Sequence, residues 1–243
     1  MALIQPRFQR TRHPSPGNLI LKALPHADRD LLLDRMEALQ VPAGQHLAEP
    51  GRPMDRVYFP VSGLVSLATT LPDGACVEVA MLGREGLIGV PIVLGGDSWP
   101  NVRVTQQIEG RSLVIDADAF REELARSRRI RDAIDGYLRA LLGQAAQEIA
   151  CNRMHQVDER FSRWLLIVRD RLEMDRFPAT QELFAEVLGV RRASISIAAG
   201  ALRAGGAIDY HRGHIRIVDA ELLEERACEC YRVIRREFER SIA

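Results

Sequence analysis

Arg191 and Arg192 open a helix-patterned run, Arg192–Arg203, and Ser194 and Ser196 follow within its first turns. Thr180 and Gln181 open a shorter run, Gln181–Leu188, just before it. Arg212-Gly213 forms a turn signal between two strand-like runs, Ala207–Tyr210 and His214–Val218. Arginine offers a forked, permanently charged donor set that fits a phosphate or the edge of a guanine. A threonine at a helix start leaves first-turn N–H groups aimed at an anion. This is the chemistry of recognition, in which no covalent bond has to break. Bond-making constellations do not stand up beside it: there is no Walker A sequence, no G-x-S-x-G and no H-E-x-x-H. Gly83, Gly86 and Gly89 lie in a strand-rich stretch, without the following helix that a nucleotide loop needs. The chain is therefore read as no enzyme.

The elements that position those residues are legible in the spacing. Two helices crossing steeply need a small residue at the contact, and Ala185 supplies it. The turn between them needs a residue tolerant of positive φ, which is Gly189. Phe184, Leu188, Val190 and Ile195 fill the shared core, Thr180 caps the first helix, and Pro178 keeps the preceding chain extended. With the two strands that come after them, this is the layout of a winged helix-turn-helix, which lays its second helix in the major groove of DNA. Thr180, Gln181, Arg191, Arg192, Ser194, Ser196 and Arg212 are the candidate DNA contacts. Arg163 and His211 are further phosphate candidates by position. His211-x-x-His214 has the look of half a metal site, but two wing histidines near phosphate fit better.

A chain of 243 residues makes one or two domains with ample core. Zero net charge excludes a uniformly basic coat but leaves room for a local basic face. Lys22 is the one lysine among 33 basic residues, an excess of arginine that runs the whole length and reads as a GC-rich coding genome. No apolar run is long enough to span a bilayer, and the first residues lack the apolar core of a signal peptide. A cytoplasmic location without membrane contact follows by default. Four cysteines in a chain this long do not make a disulfide framework. Cys228 and Cys230 fall on one predicted helix and point to different faces, so no metal site is expected, nor any cofactor. Nothing in the sequence supports a redox role for Cys151.

Residues 41–116 carry short β-type runs between glycines: Val57–Pro60, Leu64–Thr70, Ala75–Met81, Val102–Ile108 and Ser112–Ile115. Such punctuation means a barrel, sandwich or jelly roll. Helix patterns flank it at His26–Leu39 and Asp118–Ala125. A long helix, Arg128–Arg153, places Ile134, Leu138, Leu141, Ala145 and Ile149 on a narrow apolar seam of coiled-coil type. The same helix in a second copy is its simplest partner, so these five residues are the expected dimer interface. Further helices are expected at His155–Glu173 and Glu221–Arg240. The fold class is α+β: an N-terminal jelly-roll-like β-roll, a long dimerisation helix and a C-terminal winged helix-turn-helix.

In this order of parts the chain resembles the Crp/Fnr family of bacterial transcription regulators, over roughly residues 19–218. Pro42-Ala43-Gly44, Gly51, Val57-Tyr58-Phe59 and Gly63 carry the likeness in the roll. Residues 159–166, Thr180-Gln181-Glu182, Ala185, Gly189 and Arg192 carry it in the second domain. The resemblance implies a flexible arm (1–18), a cyclic-nucleotide-binding-like sensor roll (19–127), a dimerisation helix (128–153), a DNA-binding domain (154–218) and a final helix (219–243). It implies a homodimer on a near-palindromic site in double-stranded DNA, a contact with RNA polymerase, and a small-molecule effector of unknown identity.

The departures from that family are as specific. Its nucleotide-binding members follow a glycine with a glutamate that holds the ribose, then use an arginine to grip the cyclic phosphate. Here Gly89 precedes Val90 and Pro91, and residues 95–100 hold Asp97 and no arginine. A buried phosphate without a paired cation is very costly, and Asp97 would repel it. Cyclic AMP is therefore not expected to bind in the usual way. Gly89, Val90, Ser98, Trp99 and Arg103 line the corresponding candidate effector pocket. The turn at Gly95-Gly96 is either a backbone anion site or a plain surface hairpin. In the recognition helix, Ala193 and Ile197 replace the family's usual glutamate and arginine, so its usual half-site does not carry over. The alternative is a regulatory module whose roll binds another metabolite or a protein and whose helix-turn-helix serves protein interaction.

Overall fold

The computed structural model describes residues 17–71 and 76–242. Two short helices lead, α1 (Leu19–Ala23) and α2 (His26–Leu33). Asn18 caps α1 through its side-chain oxygen and donates its amide to the carbonyls of Pro60 and Gly86 at 3.0 and 2.8 Å. The proposed flexible arm thus ends in a buried, fully bonded residue, and the rest of it, up to residue 16, lies outside the described residues.

The roll comes next: β1 (Glu37–Val41), β2 (His46–Ala48), β3 (Arg56–Pro60), β4 (Leu64–Thr70), β5 (Cys76–Leu82), a one-turn helix α3 (Val90–Val93), β6 (Val102–Ile108), β7 (Gly110–Asp116) and α4 (Ala117–Arg126). Its strands form two sheets, ordered β1-β7-β3 and β2-β6-β4-β5. The helix expected to run to Leu39 stops at Leu33, because residues 37–41 pair antiparallel with β7 and bury Leu39 and Val41 on one face. Tertiary pairing overrides the helical pattern there. Asp116 caps α4 by accepting from the Asp118 and Ala119 N–H groups at 2.9 and 3.2 Å. Phe120 of α4 then packs edge-on against Phe59, with ring centroids 5.7 Å apart.

The long helix is α5 (Arg128–Met154), close to its expected bounds. After it come α6 (Val157–Leu172), β8 (Arg176–Pro178), α7 (Gln181–Leu188), α8 (Arg192–Ala204), β9 (Ile208–His211), β10 (His214–Ile217), α9 (Ala220–Arg226) and α10 (Cys230–Ile242). Residues 17–67, 81–140 and 238–242 gather into one compact unit, and 68–71, 76–80 and 141–237 into a second. Among the described residues no helix is long and apolar enough to cross a membrane.

Two of the expected helices need correction. Helix α5 has two apolar stripes, not one. Ile130, Ile134, Tyr137, Leu141 and Cys151 are buried within the single chain. Leu142 and Ile149 are 71% and 73% exposed, with Leu138 and Ala145 half-buried between them. Ile134 and Leu141 are therefore covered within the chain, and Leu142, not Leu141, lies on the exposed stripe. The expected final helix also breaks in two. Ala227 is extended (φ −82°, ψ 149°), which leaves Cys228 in a link and Cys230 as the first residue of α10.

In the second unit, Phe184 of α7 meets the rings of Phe161 and Trp164 of α6 edge-on, at 4.8 and 5.2 Å. Arg163, 2% exposed, makes a two-pronged ion pair with Glu148 at 2.5 and 2.7 Å. Burial opposes the guanidinium charge, but the facing carboxylate outweighs it and raises the Arg163 pKa. A side chain so buried and so paired is not a phosphate contact, which overturns that expectation for Arg163.

Candidate nucleic-acid interface

Thr180 caps α7 by accepting from the Leu183 N–H at 3.1 Å. The helix ends where Gly189 takes φ +62°, a left-handed conformation that costs glycine little. Val190 N–H then bonds back to the Ala185 carbonyl at 2.9 Å, which sets the sharp turn into α8. Helix α8 buries Ile195, Ala198, Ala199 and Leu202. Its opposite face presents Arg191, Arg192, Ala193, Ser196, Ile197 and Gly200 to solvent.

The wing is a three-stranded sheet, ordered β8-β10-β9. His211 pairs with His214 across a two-residue loop in which Arg212 has φ +47° and Gly213 φ +77°. Positive φ at both central positions is the type I′ hairpin turn, which matches the twist of its strands. The loop is tied to the first helix: Ala179 N–H donates to the Gly213 carbonyl at 2.8 Å. A Cβ on Gly213 would lie 3.9 Å from the Thr180 methyl group.

Most of the expected contact residues are thereby brought together. Ser196 Oγ donates to Gln181 Oε1 at 2.8 Å, joining the recognition helix to the start of α7. Arg192 Nε is 3.0 Å from Glu182, an exposed pair worth at most about 1 kcal/mol. Thr180, Gln181, Arg192, Ser196 and Arg212 form one continuous patch. Arg191 is exposed at the N-cap of α8, and Ser194 is half-buried. Ile197, 75% exposed on the same face, stands out in the sequence only as a departure; its exposure comes from standing opposite the buried Ile195 stripe. Arg176, Asp209, His211, His214 and Arg216 line a depression of about 330 Å³ on the wing. Tyr210, beside Gln181, has its phenol pKa raised, first by burial and then by Glu182.

The candidate effector residues do not converge in the same way. Val90 is buried in the core of its unit, and a Cβ on Gly89 would meet Val57 at 2.8 Å. Ser98 donates to its neighbour Asp97, at 2.8 Å. Arg103, the cation of the set, is paired with Glu49 at 3.3 Å. Trp99 is half-buried on the loop before β6.

Two family models match the chain in tandem. Residues 38–127 match the cyclic nucleotide-binding domain, and residues 159–226 match the Crp-like helix-turn-helix domain. The chain belongs to the Crp/Fnr family. It is 25% identical over 204 residues to a CRP-like cAMP-activated global transcriptional regulator of Mycobacterium tuberculosis, covering 81% of this chain and 90% of that one. Its fold is similar to that of a Crp/Fnr-family regulator from Eubacterium rectale, with a TM-score of 0.67 at 16% identity over 87% of this chain and 99% of the other. FixK2 from Bradyrhizobium japonicum gives a TM-score of 0.69 at 15% identity, over 79% of this chain and 98% of its own. The α+β architecture of roll, long helix and helix-turn-helix is that of Crp/Fnr proteins, and this chain is a transcription regulator of that family.

Proposed function

We propose that the chain works as a cytoplasmic homodimer that reads a near-palindromic DNA site, and that cyclic AMP is not its signal. The observation that carries the reading is the continuous patch of Thr180, Gln181, Arg192, Ser196 and Arg212. It combines a helix N-terminus and a wing turn, suited to phosphates, with an arginine at the start of a recognition helix, suited to a guanine. Two such patches on a two-fold axis would meet half-sites about one helical turn apart. The open stripe Leu138, Leu142, Ala145 and Ile149 supports pairing through α5. Domain limits near residues 127, 153 and 218 fit this division of labour, with RNA polymerase as a further partner. No catalytic role is assigned.

Arg192→Ala is expected to weaken binding to the selected site by about 1–3 kcal/mol, with little change on random duplex. Fluorescence anisotropy on both duplexes, over a salt series, makes the comparison. An equal loss on both would mean that Arg192 touches only phosphate.

Two features argue against the cyclic nucleotide: Val90 after Gly89, and the acidic Asp97 where a phosphate-gripping arginine would stand. Calorimetric titration of the full-length protein with cyclic AMP is expected to give no saturable heat, and to leave DNA affinity unchanged. Saturable binding abolished by Arg103→Ala would reverse this and make Arg103 the phosphate grip.

One observation favours protein interaction instead. Ile197 puts a large apolar side chain in the middle of the recognition face. Against a thymine methyl group it is equally at home, and failure to retain DNA even at low salt would favour the protein partner.

A further inference from the structure

Three cysteines and a histidine, distant in sequence, meet within the second unit. Cys151 sits on the last turn of α5, and His155 is the first of the two residues between α5 and α6. Cys228 lies in the link after α9, and Cys230 opens α10. Their ligand atoms all lie within 4.8 Å of one another. The sulfurs of Cys151 and Cys228 are 3.5 Å apart, and Cys230 Sγ is 3.6 Å from His155 Nδ1. The cysteines are free thiols, with Cys151, Cys228 and Cys230 buried; a disulfide would bring two sulfurs to about 2.05 Å.

The 3.5 and 3.6 Å separations are close to the edges of a single-ion site. With Zn–S near 2.3 Å and Zn–N near 2.05 Å, a tetrahedral site has edges of about 3.8 Å between sulfurs and about 3.6 Å between sulfur and nitrogen. An iron–sulfur cluster needs its ligands spread further apart, around several metal atoms. His155 is also oriented for the task. Its Nε2 lies 3.3 Å from a Glu229 carboxylate oxygen, which leaves Nδ1 facing the sulfurs. A carboxylate on the far nitrogen is the usual outer partner of a metal-bound histidine.

We propose that Cys151, His155, Cys228 and Cys230 form a structural site for one thiolate-preferring divalent cation, zinc by its chemistry, in each chain. Binding moves no electrons. Three thiol protons leave to solvent, three thiolates and a neutral imidazole bind the dication, and the site carries one net negative charge. Arg160 acts electrostatically on Cys151 and Cys228 and offsets part of that charge. The ion would tie the junction of α5 and α6 to the root of α10, all within the second unit.

The test uses the full-length protein, reduced and stripped with a chelator, then loaded with zinc or cobalt(II). One equivalent per chain is expected to stay bound through desalting. The cobalt form is expected to show thiolate-to-cobalt charge transfer in the near ultraviolet and the intense visible bands of a tetrahedral ion. Cys228→Ser and Cys230→Ser should each lose the bound equivalent and the spectrum, while Cys76→Ser keeps both. Alkylation followed by mass spectrometry covers the case in which the variants do not fold. Zinc should slow labelling of Cys151, Cys228 and Cys230 in the wild-type chain and leave Cys76 unchanged. The proposal is overturned if the reduced protein retains no metal and gives no tetrahedral spectrum, or if zinc leaves all four labelling rates alike. It is equally overturned if Cys151 and Cys228 oxidise to a disulfide as fast with zinc as without; the cluster is then a thiol pair and no metal site. DNA affinity is read separately, so a failure to bind DNA leaves the metal result standing.

Discussion

Leu142→Asp is expected to turn the proposed α5-paired dimer into a folded monomer. Leu142 is 71% exposed in the single chain, so a charge there costs the fold little, within about 0.5 kcal/mol for a surface change. In a two-fold pairing through α5 the same charge is buried against its own copy. Each leucine or isoleucine on the stripe is worth about 1.5–3 kcal/mol when covered, and symmetry counts each of them twice. Loss of the second half-site should then weaken binding to a full palindrome by roughly 100-fold or more, since the two contacts no longer act together. Analytical ultracentrifugation gives the oligomeric state, and binding to whole and half sites gives the affinity. Leu141→Asp is the contrast: Leu141 is 8% exposed, so the same charge one residue earlier should unfold the chain. A Leu142→Asp protein that remains a dimer would place the dimer contact elsewhere.

Glu148→Ala should strongly destabilise the second unit. It leaves the Arg163 guanidinium buried without its carboxylate, a situation that costs about 3–5 kcal/mol. Chemical denaturation of the variant should show the loss, with circular dichroism reporting the melting of α5 and α6. The double variant Glu148→Leu/Arg163→Met should recover most of it, because apolar groups of similar size pack there without a charge to satisfy. A loss under about 1 kcal/mol in the single variant would mean that water reaches the guanidinium. The pair would then be a surface bridge.

The recognition unit is legible almost residue for residue because every signal there is local. A threonine cap, a glycine at the turn, a buried stripe and a two-residue hairpin loop each act within a few positions, and Gln181–Leu188 and Arg192–Ala204 come from them. Where the deciding force is tertiary, the sequence misleads. Leu141 and Leu142 are neighbours on a helix with two apolar stripes, and periodicity alone does not say which stripe the chain covers itself. Residues 37–39 read as helix because the energy of pairing with β7 is invisible in the local pattern. Arg163 looks like a surface cation because its partner, Glu148, lies on the preceding helix. The cysteine cluster escapes the sequence for a smaller reason: the periodic pattern runs one helix through residues 227–229, where Ala227 breaks it. With Cys228 and Cys230 on opposite faces of a helix no shared ion is possible; with Cys228 ahead of the helix it is. The candidate effector pocket rests on analogy of position, and Val90 shows its weakness, since its side chain belongs to the core.

Selection of bound sequences from a random duplex library, with the full-length protein over a salt series, tests the central claim most directly. The account predicts an enriched near-palindrome, with half-sites about one helical turn apart and a guanine preference that Arg192→Ala removes. Retention without enrichment, lost steeply as salt rises, would contradict it, because only phosphates would then be read.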